Sequence, residues 1–95
     1  MYVCVAYDIS SNRLRLRVSK WCKKAGLLRL QRSVFAGKIA AAQLAELEQE
    51  TRPLLAKADK FAVMQLDKTN FHALLQQSAD ARLQALARPA VYWNL

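Results

Sequence analysis

Apolar residues along the chain fall into short runs and spaced stripes that predict alternating strands and helices. The run Tyr2–Tyr7 is apolar at odd and even positions alike, which is typical of a strand buried on both faces, and it ends at Asp8. Apolar residues then recur at helical spacing over Leu14–Ala25, and Gly26 is a suitable stop for that helix. Its start has three candidate N-caps, Ser10, Ser11 and Asn12.

The middle of the chain continues this alternation. Residues Leu27–Ile39 have an extended pattern that predicts either one bent strand or a short hairpin, and the pattern leaves both open. Residues Ala40–Lys57 have the apolar spacing of a helix, which Pro53 should kink or divide. The apolar run Phe61–Leu66 predicts a second buried strand.

The last part of the chain predicts one more helix and one more short strand. Asn70 is the candidate N-cap of a helix whose apolar face begins at Phe71 and could extend to Leu86. Pro89 would end that helix, and Ala90–Trp93 would form the last strand.

The order of these elements predicts an α+β fold in a single domain spanning residues 1–95. Strand, helix, one or two strands, helix and strand in so short a chain suggest a βαββαβ sandwich, in which an antiparallel sheet carries two helices on one face. A short C-terminal strand would be added to it. The other face of the sheet also needs a cover, and a second copy of the chain is the simplest candidate.

Length and cysteine usage narrow the class of protein. The longest apolar stretch, Met1–Tyr7, is far shorter than the roughly 20 residues that cross a membrane. No basic segment precedes it, so we expect no signal peptide, no membrane association and a cytoplasmic location. Cys4 and Cys22 have neither a CxxC spacing nor a nearby histidine, and we expect buried thiols in a reducing compartment.

Charge is distributed very unevenly along the chain. Its 15 Lys and Arg residues outnumber its 7 Asp and Glu residues, which gives a formal net charge of +8. Residues 1–38 hold nine of the basic residues and one acid, Asp8, whereas residues 39–95 hold six of each sign. The whole net charge therefore comes from the first part of the chain, and such a concentration is most favourable opposite a polyanion.

One face of the first predicted helix is purely basic. Arg13, Arg17, Lys20 and Lys24 follow the i, i+4, i+7, i+11 spacing, and no acidic residue lies within that helix to neutralise them. A solvated helix face usually carries Glu as well, so the pattern favours polyanion binding over mere solubility.

Few residues carry obvious catalytic chemistry. The sequence has no nucleotide-binding glycine motif, no HExxH and no Ser/His/Asp arrangement, and its one histidine, His72, falls within an amphipathic pattern. Asp8 is the exception, because it ends an apolar strand next to a basic helix. It could be a metal ligand or general base, or it could equally cap the helix or pair with Arg13. One carboxylate per chain is too few for a two-metal phosphodiesterase site, because Mg²⁺ takes an octahedral shell of oxygens, so a nuclease would need two chains.

Several segments of the sequence resemble one known family. The matching stretches are Tyr7–Ser10, Leu14–Val18, Gly26–Leu27 and Arg29–Gly37, which together form a YDIS…RxRV…GLxRxQxSVFxG pattern. This pattern resembles the small CRISPR-associated protein two family, which works with an integrase-like subunit in spacer acquisition. The resemblance continues to about residue 75.

The resemblance implies a ferredoxin-like fold, a symmetric homodimer and a divalent cation, Mg²⁺ or another, shared by the two copies. Asp8 would be the metal ligand and the catalytic residue at the dimer axis, with Arg15, Arg17 and Arg29 matching residues nearby. The other residues that the resemblance implies near that site are Tyr7, Ser10, Ser33 and Phe35.

Two functions follow as expectations. The first is a scaffold that binds duplex DNA and bridges dimers of the integrase-like subunit. The alternative is a metal-dependent endonuclease acting on RNA or DNA through Asp8. The residues expected to contact phosphates, without reading bases, are Arg13, Arg15, Arg17, Lys20, Lys24, Arg29 and Arg32. A general RNA-binding module is less favoured, because an aromatic RNA-binding strand is absent.

Overall fold

The computed structural model describes residues 1–77, which form a four-stranded sheet and three helices. The strands are β1 (Tyr2–Asp8), β2 (Leu28–Gln31), β3 (Val34–Lys38) and β4 (Lys60–Leu66). The helices are α1 (Asn12–Lys24), α2 (Ala41–Thr51) and α3 (Lys68–Gln76), and a 3₁₀ turn, Arg52–Leu54, follows α2. This is the predicted α+β order up to β4.

The sheet has the strand order β2-β3-β1-β4, and every neighbouring pair is antiparallel. The central strand β1 pairs with β3 on one side, Val5 opposite Phe35, and with β4 on the other, Val5 opposite Val63. Residues 27–39 therefore form the hairpin rather than one bent strand, with an irregularity between Arg29 and Gln31. The order is that of the predicted ferredoxin-like sandwich.

The main core lies between one face of the sheet and helices α1 and α2. Alternate residues of β1, represented by Val3 and Val5, pack there against Val18 of α1, Phe35 of β3 and Leu47 of α2. Because strand side chains alternate between faces, this face takes the odd-numbered residues of β1. Two helices on one face were predicted, and the structure confirms them.

The opposite face of the sheet is partly covered by α3. Phe71 and Leu75 pack on Cys4 and Ala36, and the ring of Phe71 stacks on Tyr2 with centroids 4.8 Å apart. A second copy of the chain was the simplest candidate to cover this face, and that expectation was incomplete, because the chain turns back after β4 and packs its own helix there. The α3 helix covers the end of the sheet near Tyr2.

The ends of the helices follow capping rules. Gly26 follows α1 with φ +89°, and the bonds from Gly26 N–H to the Lys23 carbonyl and from Leu27 N–H to the Cys22 carbonyl form a Schellman motif. Pro53 lies in the 3₁₀ turn and ends α2, so that helix stops before Lys57.

The predicted start of α3 at Asn70 was wrong. Asp67 is the N-cap, and its side chain accepts a 2.7 Å hydrogen bond from the backbone N–H of Asn70. Asp67 follows β4 directly, so the helix begins as soon as the strand ends. The predicted extension of this helix to Leu86, its stop at Pro89 and the strand Ala90–Trp93 lie outside the described residues.

Both cysteines lie in the interior of the described fold. Cys4 and Cys22 are both buried and unpaired, and burial raises the pKa of the Cys22 thiol to about 12. Within residues 1–77, no helix has the length and apolar content needed to span a bilayer.

Candidate nucleic-acid interface

Asp8 lies exposed at the end of β1, opposite Lys60 of β4. Side chains alternate along the strand, so Asp8 shares a sheet face with Cys4 and Ala6, whereas Tyr7 belongs to the face under α1 and α2. The strand thus directs two neighbouring residues of the predicted site to opposite sides of the sheet.

The loop that follows Asp8 is held by three side chains. Arg15 Nη1 donates to the Ile9 carbonyl at 3.1 Å, and Ser11 Oγ accepts from Leu14 N–H and caps α1. Ser10 donates from both its backbone N–H and its hydroxyl to Asp59 Oδ1, each at 3.1 Å. Ser10, predicted near the site, is therefore bound to the turn before β4.

Under α1, aromatic and basic side chains form a connected cluster. The rings of Tyr7 and Phe35 stack with centroids 6.4 Å apart, and the Arg29 guanidinium lies 5.2 Å from the Phe35 centroid. Arg29 Nη2 also donates to Ser19 Oγ and to the Arg32 carbonyl, both at 3.1 Å. Burial raises the pKa of the Tyr7 hydroxyl, an effect that the nearby Arg29 and Ser19 oppose.

These residues open into a cavity of about 340 Å³, which we call the arginine cavity. Its inner wall includes Tyr7 and Ser19, which are only 7% and 5% exposed. Among residues 1–77, no Asp or Glu lines it. Its lining residues are Tyr7, Asn12, Arg15, Leu16, Ser19, Arg29, Arg32 and Ser33.

The remaining predicted phosphate contacts lie along the outer side of α1. We call Arg13, Arg17, Lys20 and Lys24 the α1 stripe, and all four are exposed. Arg17 leans on Trp21, with its guanidinium carbon 5.2 Å from the ring centroid. Lys24 shares a groove of about 280 Å³ with Glu46 and Glu50 of α2. These carboxylates partly balance the positive charge at the Lys24 end of the stripe.

In the described part of the chain, the basic side chains of this region form no ion pair with an acidic side chain, although Glu46 and Glu50 lie near Lys24. Within residues 1–77, the one ion pair shorter than 4.0 Å joins Arg52 to Glu48, away from both the arginine cavity and the α1 stripe. Exposed charges without counter-charges repel one another, and a polyanion relieves that repulsion. The structure therefore preserves at the surface the charge imbalance seen in the sequence.

The structure divides the predicted site residues into three groups. Tyr7, Arg15, Arg29, Arg32 and Ser33 meet at the arginine cavity, with Phe35 beneath Arg29. The α1 stripe forms a second group. Asp8 stands apart on the other sheet face.

Sequence reasoning missed two contributors to this region. Ser19 lines the arginine cavity and accepts a hydrogen bond from Arg29. Its position one helical turn after Arg15 is the sequence feature that could have identified it. Asp59 holds Ser10 across 49 residues of sequence, and no local pattern indicates such a contact.

A divalent metal would find only part of its ligand set in one copy. No group of three or more His, Cys, Asp or Glu side chains gathers anywhere in residues 1–77. The Asp8 carboxylate is an oxygen donor of the kind Mg²⁺ prefers, but Mg²⁺ takes six oxygens. The donor chemistry fits: Asp8, or one Asp8 from each of two copies, would supply the protein ligands, and waters and a substrate phosphate would complete the shell.

Most of the described residues match one known protein family. The family model described as CRISPR associated protein Cas2 matches residues 1–73. The chain belongs to the Cas2 family. The match covers every strand, α1, α2 and most of α3, so the arginine cavity and the α1 stripe both lie on the family's fold.

Two curated relatives are similar to this chain over more than half of its length. One from Pyrobaculum aerophilum, called CRISPR-associated endoribonuclease Cas2 2, is 42% identical over 59 residues, which are 62% of this chain and 65% of the relative. Another from Thermoproteus tenax, a fusion of CRISPR-associated endonuclease Cas1 with endonuclease Cas2, is 34% identical over 80% of this chain and 29% of the fusion. The chain thus spans under two thirds of these relatives' lengths.

Solved structures show the same fold. Streptococcus pyogenes Cas2, determined at pH 6.5, has a TM-score of 0.61 and 31% identity, covering 72% of this chain and 88% of that one. A hypothetical protein from Thermus thermophilus, TT1823, has a TM-score of 0.60 and 28% identity, covering 70% and 80%.

Proposed function

We propose that this Cas2-family chain is a homodimeric scaffold of CRISPR spacer acquisition, which holds duplex DNA on its basic surface and bridges dimers of a Cas1-type integrase subunit. The observation that carries this proposal is the excess of basic over acidic side chains, among the described residues, at the α1 stripe and the arginine cavity, where Glu46 and Glu50 beside Lys24 balance only one end of the stripe. Cations on a helix and a neighbouring hairpin can neutralise successive backbone phosphates without contacting bases.

The homodimer is supported by the part of the sheet that α3 leaves open. Met64 is 54% exposed and lies opposite Cys4, and Ala62 lies exposed opposite Ala6, so an apolar row runs along this face toward Asp8. A second copy packed on that row would bury Met64 and bring two Asp8 carboxylates near each other. Dimerisation would also double the number of basic side chains on one assembly.

The Cas1-type partner is supported by the relative from Thermoproteus tenax. In that protein a Cas1 endonuclease and a Cas2 endonuclease share one chain. The region of similarity covers 80% of the chain described here. Domains fused in one protein commonly act together. We therefore assign the corresponding separate subunit as the partner bridged by the homodimer.

A matched pair of substitutions tests the DNA surface. Lys20→Gln on the α1 stripe should weaken duplex binding several-fold and make the salt slope of log K shallower by about 1 per lost phosphate contact. Lys57→Gln makes the same charge change at an exposed position after α2 and should leave both unchanged. Fluorescence anisotropy with a labelled duplex measures both quantities. Equal effects of the two substitutions would contradict the assigned surface.

A second candidate function is a metal-dependent endonuclease, because relatives carry that activity in their names and Asp8 is an exposed carboxylate. Asp8 from each copy would hold the divalent ion at the dimer axis. When bound, such an ion polarises a phosphate oxygen or activates a water. The basic residues of the chain would hold the strand against that site.

Replacing Asp8 separates this candidate from the scaffold. Asp8→Asn keeps the size of the side chain and removes its charge, so it should abolish cleavage of RNA and DNA while duplex affinity stays nearly unchanged. EDTA added to the unsubstituted protein should have the same effect on cleavage. Full cleavage by Asp8→Asn would assign the nuclease activity to another site or to a contaminant.

A further inference from the structure

Two of the three arginines of the arginine cavity, Arg29 and Arg15, are held by hydrogen bonds to neighbouring residues. Arg29 rests on the Phe35 ring and donates to Ser19 Oγ and the Arg32 carbonyl, and Arg15 donates to the Ile9 carbonyl. Guanidinium groups fixed in this way lose little side-chain entropy when an anion binds. The exposed lysines of the stripe have no comparable restraint, so they suit a moving backbone better than a single fixed group.

The shape of the arginine cavity favours the end of a strand. Its volume of about 340 Å³ falls at the small end of ligand pockets, and Tyr7 and Ser19 are nearly buried at its inner wall. A phosphate inside a strand would have to enter such a pocket with a nucleotide on each side of it. A terminal phosphate has a nucleotide on one side only.

The charge of the cavity points in the same direction. In the part of the chain that the structure describes, three guanidinium groups line it, from Arg15, Arg29 and Arg32, and no carboxylate does. A phosphate monoester carries about −1.5 to −2 charges at pH 7, whereas a diester carries one. Ser19 and Ser33 add hydroxyl groups that can donate to the extra oxygen of a monoester.

We propose that the arginine cavity binds the terminal phosphate of a nucleic-acid strand, a phosphate monoester, rather than a diester within the strand. This inference rests on the nucleic-acid binding proposed above, which it makes more specific. Arg29, Arg15 and Arg32 hold the monoester, and the α1 stripe holds the backbone that leads away from it. Asp8, on the other sheet face, takes no part.

The experiment compares three short single-stranded oligonucleotides of one sequence, with a 5′-phosphate, with a 3′-phosphate or with neither. Binding to the unsubstituted protein is measured near neutral pH by anisotropy, with an internal label. A phosphorylated probe should bind about tenfold more tightly than the unphosphorylated one, which corresponds to about 1.4 kcal/mol. Equal affinity for all three probes overturns the inference but leaves the proposed backbone binding intact. Binding of none of them also overturns the inference, whereas the proposed function is tested separately by the affinity for duplex DNA.

A matched pair of arginine substitutions locates the effect. Arg32→Gln should remove most of the preference for the phosphorylated probe, because its exposed side chain lines the cavity. Arg13→Gln, the same change on the α1 stripe, should weaken all probes by a similar factor and keep the preference. A preference that survives Arg32→Gln would place the phosphate elsewhere and overturn the inference.

The pH dependence supplies an independent readout. A phosphate monoester loses its second charge below a pKa of about 6, so the preference should shrink as the pH falls from about 7.5 to about 5. The charged and titratable groups that face the cavity are Tyr7 of β1, Arg15 of α1, Arg29 of β2 and Arg32 of the hairpin turn. Guanidinium groups stay charged over this range, and the Tyr7 pKa is raised from 10.0, so the change belongs to the ligand. A preference independent of pH would contradict monoester recognition.

Discussion

At the scale of single residues, Asp59 shows how one carboxylate fixes the loop after Asp8. Its two oxygens accept from Ser10 N–H, the Ser10 hydroxyl and Ala56 N–H, the last at 2.8 Å. The hydrogen bond from Ser10 N–H, together with that from Ala56 N–H, lowers the pKa of Asp59 below 3.8. Ionised Asp59 therefore joins the β1–α1 loop to the turn before β4.

Asp59→Asn should lower the thermal midpoint of unfolding in a pH-dependent way. Because the folded pKa of Asp59 is depressed, its contribution is present above the unfolded value of 3.8 and is lost as the pH falls through the folded pKa. The difference in midpoint between the two proteins should be largest near neutral pH and disappear in strong acid. Ser10→Ala, which removes one of the three donors, should give a smaller difference. A difference that does not change with pH would contradict this role of the charge.

At the scale of elements, the end of α1 determines where the hairpin begins. Gly26 adopts φ +89° and completes the Schellman motif, and the chain then passes directly into β2. A side chain in this left-handed conformation is strained, although open space surrounds the position where a Cβ would lie. The strain is therefore a property of the backbone and not of packing.

Gly26→Ala should lower the free energy of unfolding by about 1–2 kcal/mol, the cost of a left-handed residue with a Cβ. Gly26→Asn should cost less, because Asn tolerates this conformation at helix ends. Urea denaturation followed by circular dichroism measures both. An Asn variant as unstable as the Ala variant would show that crowding, rather than backbone conformation, limits this position.

The elements that sequence patterns predict well are those with a clear hydrophobic period. The strand β1 and the helix α1 agree with prediction, β1 because its apolar run marks a strand buried on both faces and α1 because its buried residues recur at near-four-residue spacing. The strand β4 lies where it was predicted, but its prediction as a buried strand was wrong, because β4 is an edge strand of the described sheet and its Ala62, Met64 and Gln65 are exposed. The start of α3 was not predicted, because Asp67 follows β4 directly and its capping role depends on the chain direction there. The cover that α3 gives to the second face is a tertiary contact that no local pattern encodes.

The sequence predicted which residues belong to the candidate site better than it predicted where their side chains lie. The basic residues were identified from charge alone, and the grouping of Arg29, Phe35 and Tyr7 follows the family pattern. The strand alternation of β1 already implied that Tyr7 and Asp8 face opposite sides, but the pattern places them next to each other in sequence. Asp59 could not be found, because its contact joins residues 49 apart.

At the scale of the whole molecule, the proposed nucleic-acid binding depends on the distribution of charge. The chain carries a formal net charge of +8, all of it from residues 1–38, which include α1 and the β2–β3 hairpin. In the described residues, the one ion pair lies outside that region. The open row of the sheet near Met64 would join two copies, so that the assembly presents twice this charge. We propose that this surface binds phosphate backbones and that the release of counterions favours the binding.

The most direct measurement is the affinity of the purified protein for duplex DNA over a series of salt concentrations. If about six phosphates are neutralised, log K should fall against log salt with a slope of about −5, with little dependence on base sequence. The mass in solution, measured on the same samples, should be that of a dimer. A slope near zero, or a monomer that binds no nucleic acid even at low salt, would contradict the account.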